Sequence, residues 1–259
     1  MTSLARLLPV VLKGAGSYIP AWSSDEFPGS SIDSAKWNVR SAGWDPEYHL
    51  PANVTVADGI CTITANEEEY GGLHFTSGHI NTWGKASWTH VYIEVRAKTS
   101  NGHWPAVFMM PASMPYEDWN SDPDKEDGEI DIYEAWSWTD FNMSRGALCY
   151  GAPIIADISS YTLPSGNFWD DYHRFALLWT PEAIYWYVDD VLFKTETSWY
   201  SSEHAWPGPF DHPFFLIIHL SVNQSGTFPA YMLLDWVRIN ATWYYFIVGN
   251  AQIGASRVK

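Results

Sequence analysis

Positive charge is scarce in this chain. Fourteen Lys and Arg stand against thirty Asp and Glu in 259 residues, a formal net charge of −16. A field of that sign repels nucleic-acid phosphates and polyanionic substrates, and leaves neutral partners favoured. Charged residues of both signs reach only 17%, against ~25% in an average domain. The two cysteines, Cys61 and Cys149, are too few and too far apart for a dense disulfide framework or a zinc knuckle. The nine histidines form no HxxxH or HxH cluster, which speaks against a transition-metal site. Glycine-rich phosphate loops are missing. No apolar run approaches the ~20 residues of a membrane-spanning helix. Near the N-terminus, Lys13 ends the apolar run Leu7 to Leu12 short of the ~7–15 residues of a signal-peptide core, so no convincing secretion signal is read there. Helical periodicity is nearly absent as well.

What remains is alternation. Short runs of alternating apolar and polar residues recur between turn signals, and predict an all-β chain. VTVADGICTITA (Val54 to Ala65) predicts a hairpin turning at Asp58-Gly59, and AIYWYVDDVLFKT (Ala183 to Thr195) another turning at Asp189-Asp190. Further strands are expected at 92–98, 106–111, 129–136, 146–151, 173–180, 213–222 and 232–239. So many strands in one unbroken chain suit a two-sheet sandwich or jelly roll. Three long connections, 38–53, 112–128 and 198–211, are rich in Trp, Tyr, Gly, Asp and Pro, and loops over such a scaffold are where binding residues usually sit. Aromatic residues are abundant, with 16 Trp, 15 Tyr and 12 Phe; indole faces stack on the apolar faces of sugar rings, and equally fill sandwich cores.

The most informative stretch is DGEIDIYEAW, Asp127 to Trp136. In a regular strand Glu129 and Asp131 share one face while Ile130 and Ile132 take the other. Glu134 breaks the alternation and would bury a charge with the isoleucines, at several kcal/mol. A β-bulge near Tyr133 would return it to the face of Glu129 and Asp131. Three clustered carboxylates suit glycoside hydrolysis with retention, which needs two carboxyl groups only ~5–5.5 Å apart, one as nucleophile and one as proton donor. The competing reading is a solvated sandwich face, since acidic outer strands are common in acidic proteins.

Glu-Ile-Asp-Ile-Tyr-Glu resembles the E-x-D-x-x-E signature of glycoside hydrolase family 16 in its bulged form, that of the laminarinase-like and agarase-like branches. Ordered matches surround it. SSDEFPGSSIDSAKWNV resembles the family's entry strand and HWPAVFMMP its Trp-Pro-Ala strand. YHRFALLWTPEAIYWYVDD and FDHPFFLIIHLSVN resemble two later strands, and MLLDWVRI the closing one. The resemblance implies a jelly roll with a concave substrate cleft over residues 23–239, between an N-terminal extension (1–22) and an apolar C-terminal tail (240–259). It implies Glu129 as nucleophile, Asp131 as assisting carboxylate and Glu134 as acid/base. Three departures are visible: Cys149 where many members have His, His219 and Asn223 where Asn and Gly are usual, and Thr89-His90-Val91-Tyr92 where Tyr-Gly-Arg precedes the Glu-Val-Arg strand.

Further residues follow from the same resemblance. Trp104, Trp119 and Trp136 are expected to line the cleft, and Arg96 to bind substrate hydroxyls. A structural calcium ion is expected at Glu26, Gly59 (through its carbonyl) and Asp235, all oxygen donors as a hard cation requires; catalysis itself needs no cofactor. The implied activity is retaining endo-hydrolysis of a neutral β-linked polysaccharide, β-1,3-glucan first, by a protein working outside the cell. An agarase or transglycosylase of the same family, and a non-catalytic carbohydrate-binding or structural jelly roll, are the alternatives. The run Trp243 to Val248, exposed, would invite aggregation. It is therefore expected to pack on the domain as one more strand, or on another subunit in a homo-oligomer or larger assembly.

Overall fold

The computed structural model describes residues 24–100, 102–114, 126–136, 141–201 and 203–240, and two short strands at 247–248 and 251–252. The expectations placed on Trp119, on residues 1–22 and on most of the tail lie outside them.

In chain order the strands are β1 (Ser24–Asp25), β2 (Asn38–Val39), β3 (Ala42–Trp44), β4 (Glu47–His49), β5 (Val54–Ala57), β6 (Ile60–Tyr70), β7 (Leu73–Ser77), β8 (His79–Asn81) and β9 (Tyr92–Thr99). The second half adds β10 (Trp104–Pro111), β11 (Glu129–Glu134), β12 (Met143–Tyr150), β13 (Ile155–Thr162), β14 (His173–Trp179), β15 (Ile184–Val188), β16 (Val191–Glu196), β17 (Phe214–Ser221) and β18 (Ala230–Asn240). In the tail, β19 (Ile247–Val248) and β20 (Ala251–Gln252) pair with each other in a two-stranded ladder. The expected extra strand of the sandwich is not formed by these residues. No helix among the described residues is long and apolar enough to cross a membrane.

Two sheets make the jelly-roll sandwich. One runs β13-β12-β11-β10-β17-β8-β2; the other runs β16-β15-β14-β9-β18-β6-β7-β4-β3, with β1 on β18 and β5 on β6. The predicted hairpins turn where expected. Asp58 and Gly59 have φ of 52° and 78°, and Asp189 and Asp190 have 48° and 69°, the left-handed pair that a two-residue hairpin needs. Segment 38–53, expected as a connection, contains β2, β3 and β4, whose two or three residues each are too few for periodicity to register. Strand β13 was also not anticipated. It lies at a sheet edge with Ile155 and Ile158 exposed, so it has no clean buried face.

Alternation fixes which side chains meet. Ile93, Val95 and Ala97 of β9 point into the core while Tyr92, Glu94 and Arg96 point out. In β10, Val107 and Met109 join the main core, whereas Ala106, Phe108 and Met110 turn to the far face and cluster with Met114, Phe215 and Ile217. On β11 the register slips: Asp131 faces Phe108 and Tyr133 faces Val107 on β10, while Asp131 faces Ala147 and Glu134 faces Arg145 on β12. This is the predicted bulge. It sends Ile132 and Tyr133, successive residues, both into the core and returns Glu134 to the far face.

A bulge leaves ladder groups without strand partners. Here the indole Nε1 of Trp186, a fully buried residue of the opposite sheet, donates to the main-chain carbonyl of Asp131 at 2.7 Å. Gly146, the residue of β12 between the partners of Asp131 and Glu134, makes room for it: a Cβ there would lie 2.5 Å from Trp186 Cδ1. Gly146→Ala should therefore cost about 1–3 kcal/mol by overpacking, read as a lower urea midpoint with an unchanged slope. A midpoint equal to the parent's would show that Trp186 gives way freely.

Candidate active site

The bulged strand puts Glu129, Asp131 and Glu134 on one face, with a small residue opposite two of them on one side. Asp131 lies opposite Ala147, and Glu134 opposite Ala106. Carboxylate oxygens of Glu129 and Asp131 and the sulfur of Cys149 all lie within 4.8 Å of one another. Cys149 Sγ lies 3.7 Å from Asp131 Oδ2 and donates to it. Burial holds the Cys149 thiol far above its usual range, so the sulfur stays a weak neutral donor.

The three acids are set apart by what surrounds them. Asp131 is only 3% exposed; burial first, then the charges of Glu134 and Glu129, push its pKa well above the ordinary carboxyl range. Its hydrogen bond with Glu129 pushes the same way, since it favours the protonated form. Glu134 is raised to about 7, again by burial first and by Glu129 second. Two groups pull the other way. Trp104 Nε1 donates to Glu134 Oε1 at 2.9 Å, and Arg145, the cross-strand partner of Glu134, favours its ionised form. A carboxyl group balanced near the working pH is suited to give a proton in one step and take one in the next.

An aromatic corner borders the acids. Trp104 and Trp136 meet edge to face at 6.0 Å, and the guanidinium of Arg145 lies over the Trp136 ring at 4.3 Å. Trp104 thus bonds to Glu134, and Trp136 stands beside Trp104 and Arg145. Arg145 was not singled out in the sequence, since only the bulged register places it opposite Glu134.

Other expected site residues fall elsewhere. Arg96 is not at the acids. It lies on the outer face of β9 in the opposite sheet, paired with Asp235 and stacked over Tyr172 at 4.8 Å, because the alternation of β9 turns it away from the core. Glu26, Gly59 and Asp235 do come to one region of that sheet. β1 pairs with β18, Asp235 sits at a register slip of β18, and the Glu26 carbonyl lies 3.9 Å from where a Cβ on Gly59 would be. The carboxylates, however, are held by guanidinium groups, Glu26 by Arg238 at 2.8 and 3.2 Å and Asp235 by Arg96. The two carboxylates are thus engaged by cations and do not present themselves to a calcium ion.

The model of the glycosyl hydrolases family 16 matches residues 47–237. The chain is 33% identical to a beta-glucanase of Rhodothermus marinus over 85% of each sequence. It is 31% identical to a glucan endo-1,3-beta-glucosidase of Cryptopygus antarcticus, over 81% of this chain and 82% of that one. The X-ray structure of the laminarinase from Rhodothermus marinus superposes with a TM-score of 0.71 at 32% identity, covering 85% of this chain and 95% of that one.

The balance at Glu134 is directly measurable. Trp104→Phe removes a donor that favours the carboxylate, and Arg145→Met removes a favourable charge, so in each variant Glu134 should half-titrate above the parent's value of about 7. Carboxyl-carbon NMR on glutamate-labelled protein reads this. Midpoints that stay put or fall would show that the two groups do not face Glu134 in solution.

Proposed function

Because the chain belongs to the glycosyl hydrolases family 16, we propose that it is an endo-acting β-1,3-glucanase working with retention through Glu129, Asp131 and Glu134. The observation that carries this reading is the bulged strand, which gathers three carboxyl groups and holds Glu134 at a pKa of about 7. In the first step an oxygen of Glu129 attacks the anomeric carbon, while Glu134 passes its proton to the departing glycosidic oxygen. Asp131, buried beside Glu129, shares a hydrogen bond with it and so orients the attacking carboxylate. In the second step Glu134, now a carboxylate, takes a proton from water as that water displaces Glu129 from the sugar carbon. Trp104 and Trp136 offer apolar ring faces for the sugar beside the bond to be cut. The net charge of −16 fits a neutral polymer, and a polymer too large to enter a cell is met outside it.

Incubation with laminarin should release new reducing ends, and Glu129→Gln should lower turnover by on the order of a thousandfold with the fold kept. Cleavage of agarose alone would move the reading to the agarase branch. Longer products formed at high oligosaccharide concentration would move it to transglycosylation. Absence of turnover on any β-glucan, together with retained binding, would leave the carbohydrate-binding alternative. The glutamate roles separate with an activated aryl β-glucoside and azide. Glu134→Ala should form the covalent intermediate and give the β-azide, and Glu129→Ala, without its nucleophile, the α-azide; the reverse pairing would exchange the two roles.

Calcium belongs to this proposal as a structural ion. It would be held by the carbonyls of Glu26 and Gly59 and by Asp235, with Arg96 released, and would tie the entry strand to the closing one. A chelator should then lower the melting temperature by a few degrees while activity at moderate temperature is kept. Coincident melting curves in chelator and in excess calcium would remove the ion.

A further inference from the structure

Outside the carboxylate row, the described residues contain one other convergence of metal-binding side chains. His49 on β4, His79 on β8 and His219 on β17 are 0%, 0% and 7% exposed. Their ring centres are 5.1 Å (49 to 79), 5.7 Å (79 to 219) and 6.2 Å (49 to 219) apart, and one ring nitrogen of each lies within 4.8 Å of the others. We propose that these three imidazoles form a buried site for a divalent transition-metal ion, best suited to zinc, that ties β4, β8 and β17 together. The sequence had argued against such a site because its histidines form no HxxxH or HxH cluster. The folded strands supply the proximity that spacing lacks.

The geometry is near that of ligation. Imidazoles coordinating a tetrahedral ion at ~2.0–2.1 Å hold their ring centres about 5 Å apart, so closure asks each ring to move inward by about an ångström or less. The donors are also waiting. Both ring nitrogens of His49, and Nδ1 of His219, are buried with no hydrogen-bond partner, although buried polar groups nearly always find one. Burial pushes His49 and His219 down to about 3, so at neutral pH these rings are uncharged and keep a lone pair for a metal.

The surroundings fit as well. Glu47 Oε1, which accepts the Ser221 hydroxyl at 2.8 Å, lies 3.6 Å from His49 Nε2, a small shift away from the hydrogen bond by which a carboxylate orients a ligating histidine. The buried Arg40 guanidinium faces the same cluster, a positive charge that the imidazole ligands must outweigh to hold a cation. A set made of imidazoles suits zinc, copper or nickel rather than calcium or magnesium. Three protein ligands leave a fourth position for water.

The test uses the full-length chain without a histidine tag, stripped of metal and titrated with zinc. One equivalent should bind, raise the melting temperature by several degrees and, with cobalt in place of zinc, give the intense visible absorption of a tetrahedral site. His49→Gln and His219→Asn should each weaken zinc binding at least tenfold, and His74→Ala should bind as the parent does. That control addresses the exposed His74, which lies 2.5 Å from Glu69 and 3.3 Å from Glu67, the rival surface site. Absence of binding to the parent, or binding lost in His74→Ala and kept in the other two, overturns the proposal. Should the buried variants fail to fold, His74→Ala decides: the cobalt spectrum kept at one equivalent supports the buried site, and its loss refutes it.

Discussion

The hydrogen bond from the Trp186 indole to the carbonyl of Asp131 is the interaction on which the acid strand depends. A regular strand would carry Glu134 into the core; the bulge prevents that but leaves main-chain groups of β11 without strand partners. A buried carbonyl without a donor costs about 1–3 kcal/mol, a penalty that would favour slipping back into register. Trp186 removes it from the opposite side of the sandwich, and Gly146 gives the indole its space. Ile132 and Tyr133 reinforce the slip by filling the core with two successive side chains, Tyr133 stacked on Phe175 at 3.8 Å. The sandwich's interior thus fixes which face three carboxylates share.

With that face fixed, protonation follows from solvent exclusion more than from mutual repulsion. Burial leads the causes at both Asp131 and Glu134, and the remaining neighbours divide the pair. Trp104 and Arg145 act on Glu134 and bring it back to about 7, while the sulfur of Cys149 offers Asp131 only a weak donor. One acid is left balanced for proton transfer and the other has its pKa pushed well above the ordinary carboxyl range. The thiol of Cys149 keeps contact with Asp131 without adding a cation to the row.

Much of this was legible in the residues. Asp58-Gly59 and Asp189-Asp190 announced their turns because a left-handed residue pair has few sequence solutions. The bulge was legible because Glu-x-Asp-x-x-Glu cannot keep three charges on one face without it. What the sequence hid is what strands from distant segments bring together. Arg145 meets Glu134 only through the slipped register, and Arg96 goes to Asp235 because β9 alternates strictly. The histidine triad draws one residue from each of three strands that lie more than a hundred residues apart at the extremes. Periodicity reads each strand's own faces and carries no information on which faces will become neighbours.

That last cluster and the acids are nevertheless part of one row. Across the first sheet, Arg145, Glu134, Ala106, His219 and His79 are consecutive cross-strand partners, so their side chains leave the sheet on the same side. Strands ~4.8 Å apart put His219 about 10 Å from Glu134, too far for a metal bound there to touch the bond that the carboxylates break. Its charge reaches further. A dication and a carboxylate at that distance attract by about 1 kcal/mol in water-like surroundings and about 3 kcal/mol at an effective dielectric of 20. The sign is fixed: a bound ion favours ionised Glu134 and a proton on Glu134 disfavours the ion, each by the same free energy. Arg145 on one side and the histidine cluster on the other would then act together on one carboxyl group, with burial and Glu129 opposing both.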